Sequence, residues 1–170
     1  DGLLQPAQIV GINAALLPFE GLAGQVFAPL ARLMARQTWV PGLFARRAGD
    51  AAAVRRLVAS TGSTLDEHGL ALYARLLRSP PHVAGALAMM ADWDLAGLWH
   101  DLPALRPPLA LLVGAQDRTV PPAQARRVRL KLPATVLRQL DGLGHLAHEE
   151  APQRLADLLL PLLAADRRAA

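Results

Sequence analysis

The chain has 170 residues, 52% of them apolar and 19% charged, and a net charge of +4. That balance supports one folded domain and excludes a chain disordered by composition. No apolar run reaches the roughly 18–20 residues of a membrane-crossing helix, and with no cysteine there is no disulfide framework, thiolate metal site or cysteine nucleophile.

The first expected element is a strand over residues 8–13, a short β-branched run. Residues 19–104 read differently, rich in alanine and leucine with helical spacing. Candidate helices there run over 25–36, 51–59, 65–78, 82–91 and 92–99, with Pro18, Pro41, Pro80 and Pro81 breaking the segments. Asp50 is an expected N-cap for the second, and Thr64 with Glu67 forms a capping box for the third. A second strand follows over 109–113, between Pro107-Pro108 and Gly114. Pro121-Pro122 then open a helix carrying Ala125, Val128 and Leu132 at helical spacing, and Pro133 closes it. A third strand covers 135–140. The last helix has Glu149 and Glu150 at its start, where carboxylates suit the helix dipole, and Leu155, Leu158, Leu159 and Leu162 on its apolar face.

Short apolar strands alternating with helices predict an α/β class with buried parallel strands. The expected division is a core strand and connection over 1–18, a helical cap over 19–104, a C-terminal core over 105–166 and a frayed tail over 167–170.

Open parallel sheets place ligands beyond the carboxyl ends of their strands. The second strand ends in Gly114-Ala115-Gln116-Asp117 and the third in Asp141-Gly142-Leu143-Gly144-His145. Asp117 alone reads as a helix cap and His145 alone as a loop histidine. Together, at the tips of consecutive strands, they read as the orienting half of a nucleophilic triad, with Gly142 and Gly144 letting the loop turn and present the ring.

The stretch from Leu109 to Pro152, with Gly114-x-x-Asp117, Val120-Pro121-Pro122 and Gly142-x-Gly144-His145, resembles the C-terminal portion of the α/β-hydrolase fold. By that resemblance Asp117 is the triad acid and His145 the triad base. Further segments, Asn13 to Phe19, Gly62 to Asp66, His82 to Ala91, Trp93 to Leu95 and Gly144 to Pro152, resemble the magnesium-chelatase accessory family of the bacteriochlorophyll pathway in photosynthetic bacteria. This second resemblance implies a pathway more than a reaction.

A hydrolase of this fold also needs a serine in a Gly-x-Ser-x-Gly elbow. The three serines, Ser60, Ser63 and Ser79, do not stand in that pattern. The chain therefore reads as the C-terminal half of a larger protein, whose elbow is expected roughly 20 residues before Asp1. A sheet lacking its neighbouring strand should be poorly soluble or oligomeric when produced alone.

Other residues bear on ligands and partners. Met89, Met90 and Trp93 read either as cap core or, with Leu146, as an apolar wall over a flat ligand such as a tetrapyrrole. His145-Leu146-Ala147-His148-Glu149 lacks the order of a helical zinc motif, so neither a metal nor another cofactor is expected. The basic residues are all arginine but Lys131, and they are scattered except for Arg32, Arg36, Arg46, Arg47, Arg55 and Arg56. With aromatics at 4%, nucleic acid is not an expected partner. The expected location is cytoplasmic. Two functions follow: the parent is a serine-type ester or acyl hydrolase acting on a small molecule, or a non-catalytic module that binds a tetrapyrrole or magnesium chelatase.

Overall fold

The structure, a computed structural model, describes residues 6–18, 33, 34, 37, 39–93 and 95–166. The chain divides into two compact units. A sheet unit takes its described residues from segments 1–17, 60–64 and 97–170, and a helical unit from 18–59 and 65–96.

The sheet unit is organised by β2 (Leu109–Gly114), all six residues of which are buried. This is the pattern of a parallel strand covered on both faces. It pairs in parallel with β1 (Ile9–Ile12) and β3 (Val136–Leu140), giving the order β1-β2-β3. Side chains alternate across the pleat. Leu109, Leu111 and Val113 meet Leu17, Leu102 and the apolar side of α6 (Pro122–Lys131), Ala125 and Val128. On the opposite face Leu112 meets Leu140, Leu143, Ala147 and Leu155, the last from α8 (Pro152–Asp166). Leu112 is 0% exposed. Leu112→Ala is therefore expected to lower stability by about 3 kcal/mol, read by urea unfolding. A loss below about 1 kcal/mol would mean that this face is not packed as described.

Pro121 and Pro122 start α6 as the sequence implies, since a first-turn N–H has no intrahelical partner to lose. At its far end the Lys131 ammonium donates to the Trp99 carbonyl and sits 4.0 Å above the Trp99 ring. A short helix, α7 (Ala147–Glu150), precedes α8. Glu149 and Glu150 thus belong to a separate turn rather than to the start of the last helix, because Ala151 leaves helical geometry at φ −145°.

The helical unit contains α1 (Val40–Arg47), α2 (Ala51–Ser60), α3 (Glu67–Leu77) and α4 (Pro80–Ala91), followed in the chain by α5 (Leu95–Asp101). Its core is Val40, Val83 and Leu87, with Phe44, Leu77 and Met90 against them. The candidate helix over 25–36 falls almost entirely outside the described residues, as does the 167–170 tail. The sequence pattern does not predict α1. Pro41 reads as a breaker, yet it lies in the first turn, where proline fits. Pro80 and Pro81 likewise open α4 behind Ser79, whose hydroxyl accepts from the His82 amide.

Asp50 caps α2, its Oδ1 accepting from the Ala52 amide at 2.8 Å. The expected capping box on α3 does not form. Asp66 is the N-cap, accepting from the Gly69 amide at 2.7 Å, while Glu67 pairs with Arg55. Thr64 is drawn away because it belongs with the sheet unit, where its amide donates to Glu150 Oε2 at 3.4 Å. Among the described residues no helix is long and apolar enough to cross a membrane.

Candidate functional site

The loops after β2 and β3 are fastened to each other before any side chain is considered. The Ala115 amide donates to the Leu140 carbonyl at 2.9 Å, and the Gln116 amide to the Leu143 carbonyl at 2.8 Å. This register places Asp117 and His145 at one end of the sheet, as their positions after consecutive parallel strands require.

The Asp117 side chain is 0% exposed. Its Oδ1 accepts from the amides of Thr119 and Val120, both at 2.8 Å. Its Oδ2 lies 2.9 Å from His145 Nδ1. A carboxylate only accepts hydrogen bonds, so in the neutral imidazole the shared proton resides on Nδ1 and Nε2 keeps its lone pair. No described residue hydrogen-bonds Nε2, and the His145 side chain is 27% exposed. The ring is thus anchored on one nitrogen and open on the other. That is the arrangement a general base needs.

The backbone that carries His145 is tied on three sides. The His145 amide donates to the Thr61 carbonyl at 3.3 Å, and the next amide, of Leu146, donates to Ser63 Oγ at 2.8 Å. The Gly144 amide donates to Glu150 Oε1 at 2.9 Å. The Asn13 side-chain amide donates to the carbonyls of Gly144 and His145 at 3.0 and 2.6 Å. The first two of these acceptors lie in the segment between α2 and α3. Thr61 also accepts from the Arg118 amide at 3.1 Å, so one carbonyl fastens both loops.

Two glycines of the histidine loop serve different ends. Gly142 has φ +79° with open space around it and makes the turn. Gly144 does not share that backbone shape. Its need is close approach, since a Cβ there would overlap the Gly62 backbone and lie 2.5 Å from Ser63 Oγ.

Of the residues singled out from sequence, Asp117 and His145 are brought together, with half-buried Leu146 following at the start of α7. Met89, Met90 and Trp93 belong to the helical unit. Met90 packs on its core, whereas Met89 and Trp93 are exposed. His148 pairs with Glu149 at 3.3 Å, and no group of three or more metal-ligating side chains occurs among the described residues. Sequence reasoning missed Asn13, Ser63 and Glu150 as site residues. Asn13 carried a signal, being the one polar residue from Ile9 to Leu17. Ser63 and Glu150 carried none, because Ser63 bonds Leu146, 83 positions away, and Glu150 bonds Thr64, 86 positions away, as well as Gly144. None of the three serines is an exposed nucleophile in an elbow: Ser60 ends α2, Ser63 is buried and accepts a hydrogen bond, and Ser79 caps α4.

A family model described as "Alpha/beta hydrolase family" matches residues 3–158. The chain is 40% identical over 156 residues to a Rhodobacter capsulatus protein called "Magnesium-chelatase 30 kDa subunit", a match covering 92% of this chain and 55% of that protein. The chain thus spans about half the length of this relative. Among solved structures it is similar to a thermophilic esterase from Thermogutta terrifontis, with TM-score 0.65, 21% identity, and coverage of 94% of this chain and 56% of that one. It is also similar to an alpha/beta hydrolase fold protein from Burkholderia ambifaria, with TM-score 0.63, 18% identity, and coverage of 91% and 56%. At these identities the structural likeness establishes the fold alone.

Proposed function

Because the chain belongs to the alpha/beta hydrolase family, we propose that it contributes the acid and base of a serine-type hydrolase acting on an ester or related acyl substrate. The observation that carries this reading is the 2.9 Å contact between a fully buried Asp117 carboxylate and an imidazole whose other nitrogen has no described partner. Asp117 fixes the tautomer and stabilises the imidazolium. His145 Nε2 takes the proton of an attacking serine hydroxyl and returns it to the leaving group. This reading requires a nucleophilic serine in a Gly-x-Ser-x-Gly elbow, a pattern that does not occur in these 170 residues.

The test is a fluorophosphonate probe applied to the protein as natively encoded. Labelling of one serine is expected, and its abolition in His145→Ala. Equal labelling of the two proteins would remove His145 from the chemistry.

A second reading is favoured by the relative named as a chelatase subunit. Here the protein assembles with magnesium chelatase, or holds its tetrapyrrole substrate, and the acid–base pair is a remnant of the fold. Exposed Met89 and Trp93 would supply a flat apolar contact.

A further inference from the structure

Asn13 is the first residue after β1 and is only 5% exposed. Its backbone is left-handed, at φ 48°, a conformation asparagine tolerates better than most side chains. Its amide donates to the Leu112 carbonyl at 2.9 Å, which continues the ladder with β2. Its side chain then spends every strong function on the neighbouring strand ends. Oδ1 accepts from the Gly114 amide at 2.7 Å, and Nδ2 donates to the carbonyls of Gly144 and His145. The orientation of the amide is unambiguous, because one partner can only donate and two can only accept.

The consequence is geometric. Gly114 begins the turn that carries Asp117, and His145 is held by its own carbonyl. One rigid carboxamide therefore sets the spacing between the loop that bears the acid and the loop that bears the base. The hydrogen bond between acid and base weakens within a few tenths of an ångström or a modest rotation. We infer that Asn13 is a positioning residue for the Asp117–His145 pair, an inference that rests on reading that pair as acid and base. No other common side chain offers an acceptor and two donors from so short a stem. The substitution Asn13→Asp would turn a carboxylate toward two carbonyls, and Asn13→Gly would keep the backbone while removing all three bonds.

The experiment uses the natively encoded protein and observes the proton on His145 Nδ1 as a downfield ¹H NMR resonance, assigned by its loss in His145→Gln. Asn13→Asp and Asn13→Gly are compared with Val128→Ala, a buried substitution outside the site. The resonance is expected to vanish or broaden in both Asn13 variants, at temperatures where their circular dichroism is unchanged, and to persist in Val128→Ala. Fluorophosphonate labelling should slow about 100-fold in the Asn13 variants, the order of loss for a misplacement near 1 Å. Persistence of the resonance unshifted in either folded Asn13 variant would overturn the inference and leave the acid–base reading standing. Loss in Val128→Ala to the same degree would also overturn it, by showing that any loss of stability has that effect. Absence of the resonance from the unaltered protein would refute the pair itself, and the inference with it.

Discussion

Asp117→Asn is expected to give a folded protein whose histidine can no longer act as a base. The carboxamide oxygen can still accept from Thr119 and Val120, as Oδ1 does now. The other end becomes an NH₂ facing His145 Nδ1, where an acceptor stood. The imidazole must then accept at Nδ1 and carry its proton on Nε2, which leaves no lone pair for a hydroxyl. Fluorophosphonate labelling should fall on the order of 10⁴-fold, while the unfolding free energy changes by about 1 kcal/mol or less. Asp117→Ala should separate the two effects. It leaves the buried Val120 N–H and the partly buried Thr119 N–H without their acceptor and lowers stability by about 2 kcal/mol as well. Labelling of Asp117→Asn at the unaltered rate would show that the pair does no chemistry. In that case the chelatase reading makes its own demand: Asp117→Asn must support magnesium chelation as fully as the unaltered protein.

Gly62→Ala is expected to be the most damaging single change to the fold of the site. Gly62 has φ +85°, which costs an ordinary side chain about 1–2 kcal/mol. Steric overlap adds to this, for a Cβ there would collide with the Gln116 carbonyl oxygen and lie 3.0 Å from its carbon. That carbonyl cannot simply swing away. The Gln116 amide is bonded to Leu143 and the Arg118 amide to Thr61, so the turn holding Asp117 must move as a body. A stability loss of about 4 kcal/mol is expected, with labelling abolished even in molecules that remain folded. Gly142→Ala is the matching control. Its φ is similar, but its surroundings are open, so a loss of about 1 kcal/mol and little change in labelling are expected. Thermal unfolding of the two variants side by side measures the difference. Equal losses would mean that backbone conformation, not close approach, governs Gly62.

Local chemistry made much of the sheet unit readable. The run Leu109 to Val113 is too short and too apolar to be anything but a covered strand. Pro121-Pro122 and Pro133 bracket α6 through the missing N–H of proline. Asp117 and His145 stand out because parallel topology dictates where strand ends gather. The failures have a common cause, which is that the deciding partner is distant in sequence. Thr64 has the right neighbour for a capping box but is claimed by Glu150. Glu150 looks like a dipole-stabilising residue but bonds the Thr64 amide, 86 positions away. Gly144 looks like a turn glycine but is required by the Gly62 backbone. Pro41 misleads for a different reason, because a proline that opens a helix and one that ends it look alike without their context.

The short stretch Ser60–Thr64 separates α2 from α3 of the helical unit, yet Thr61 and Ser63 bond the Asp117 and His145 loops. Anyone trimming the protein to its sheet unit therefore cannot excise the stretch from 18 to 96 in one cut. A shortened version must graft Thr61, Gly62 and Ser63 back across the gap, or the histidine loop loses two of its ties and the trimmed protein is left with an imidazole that wanders.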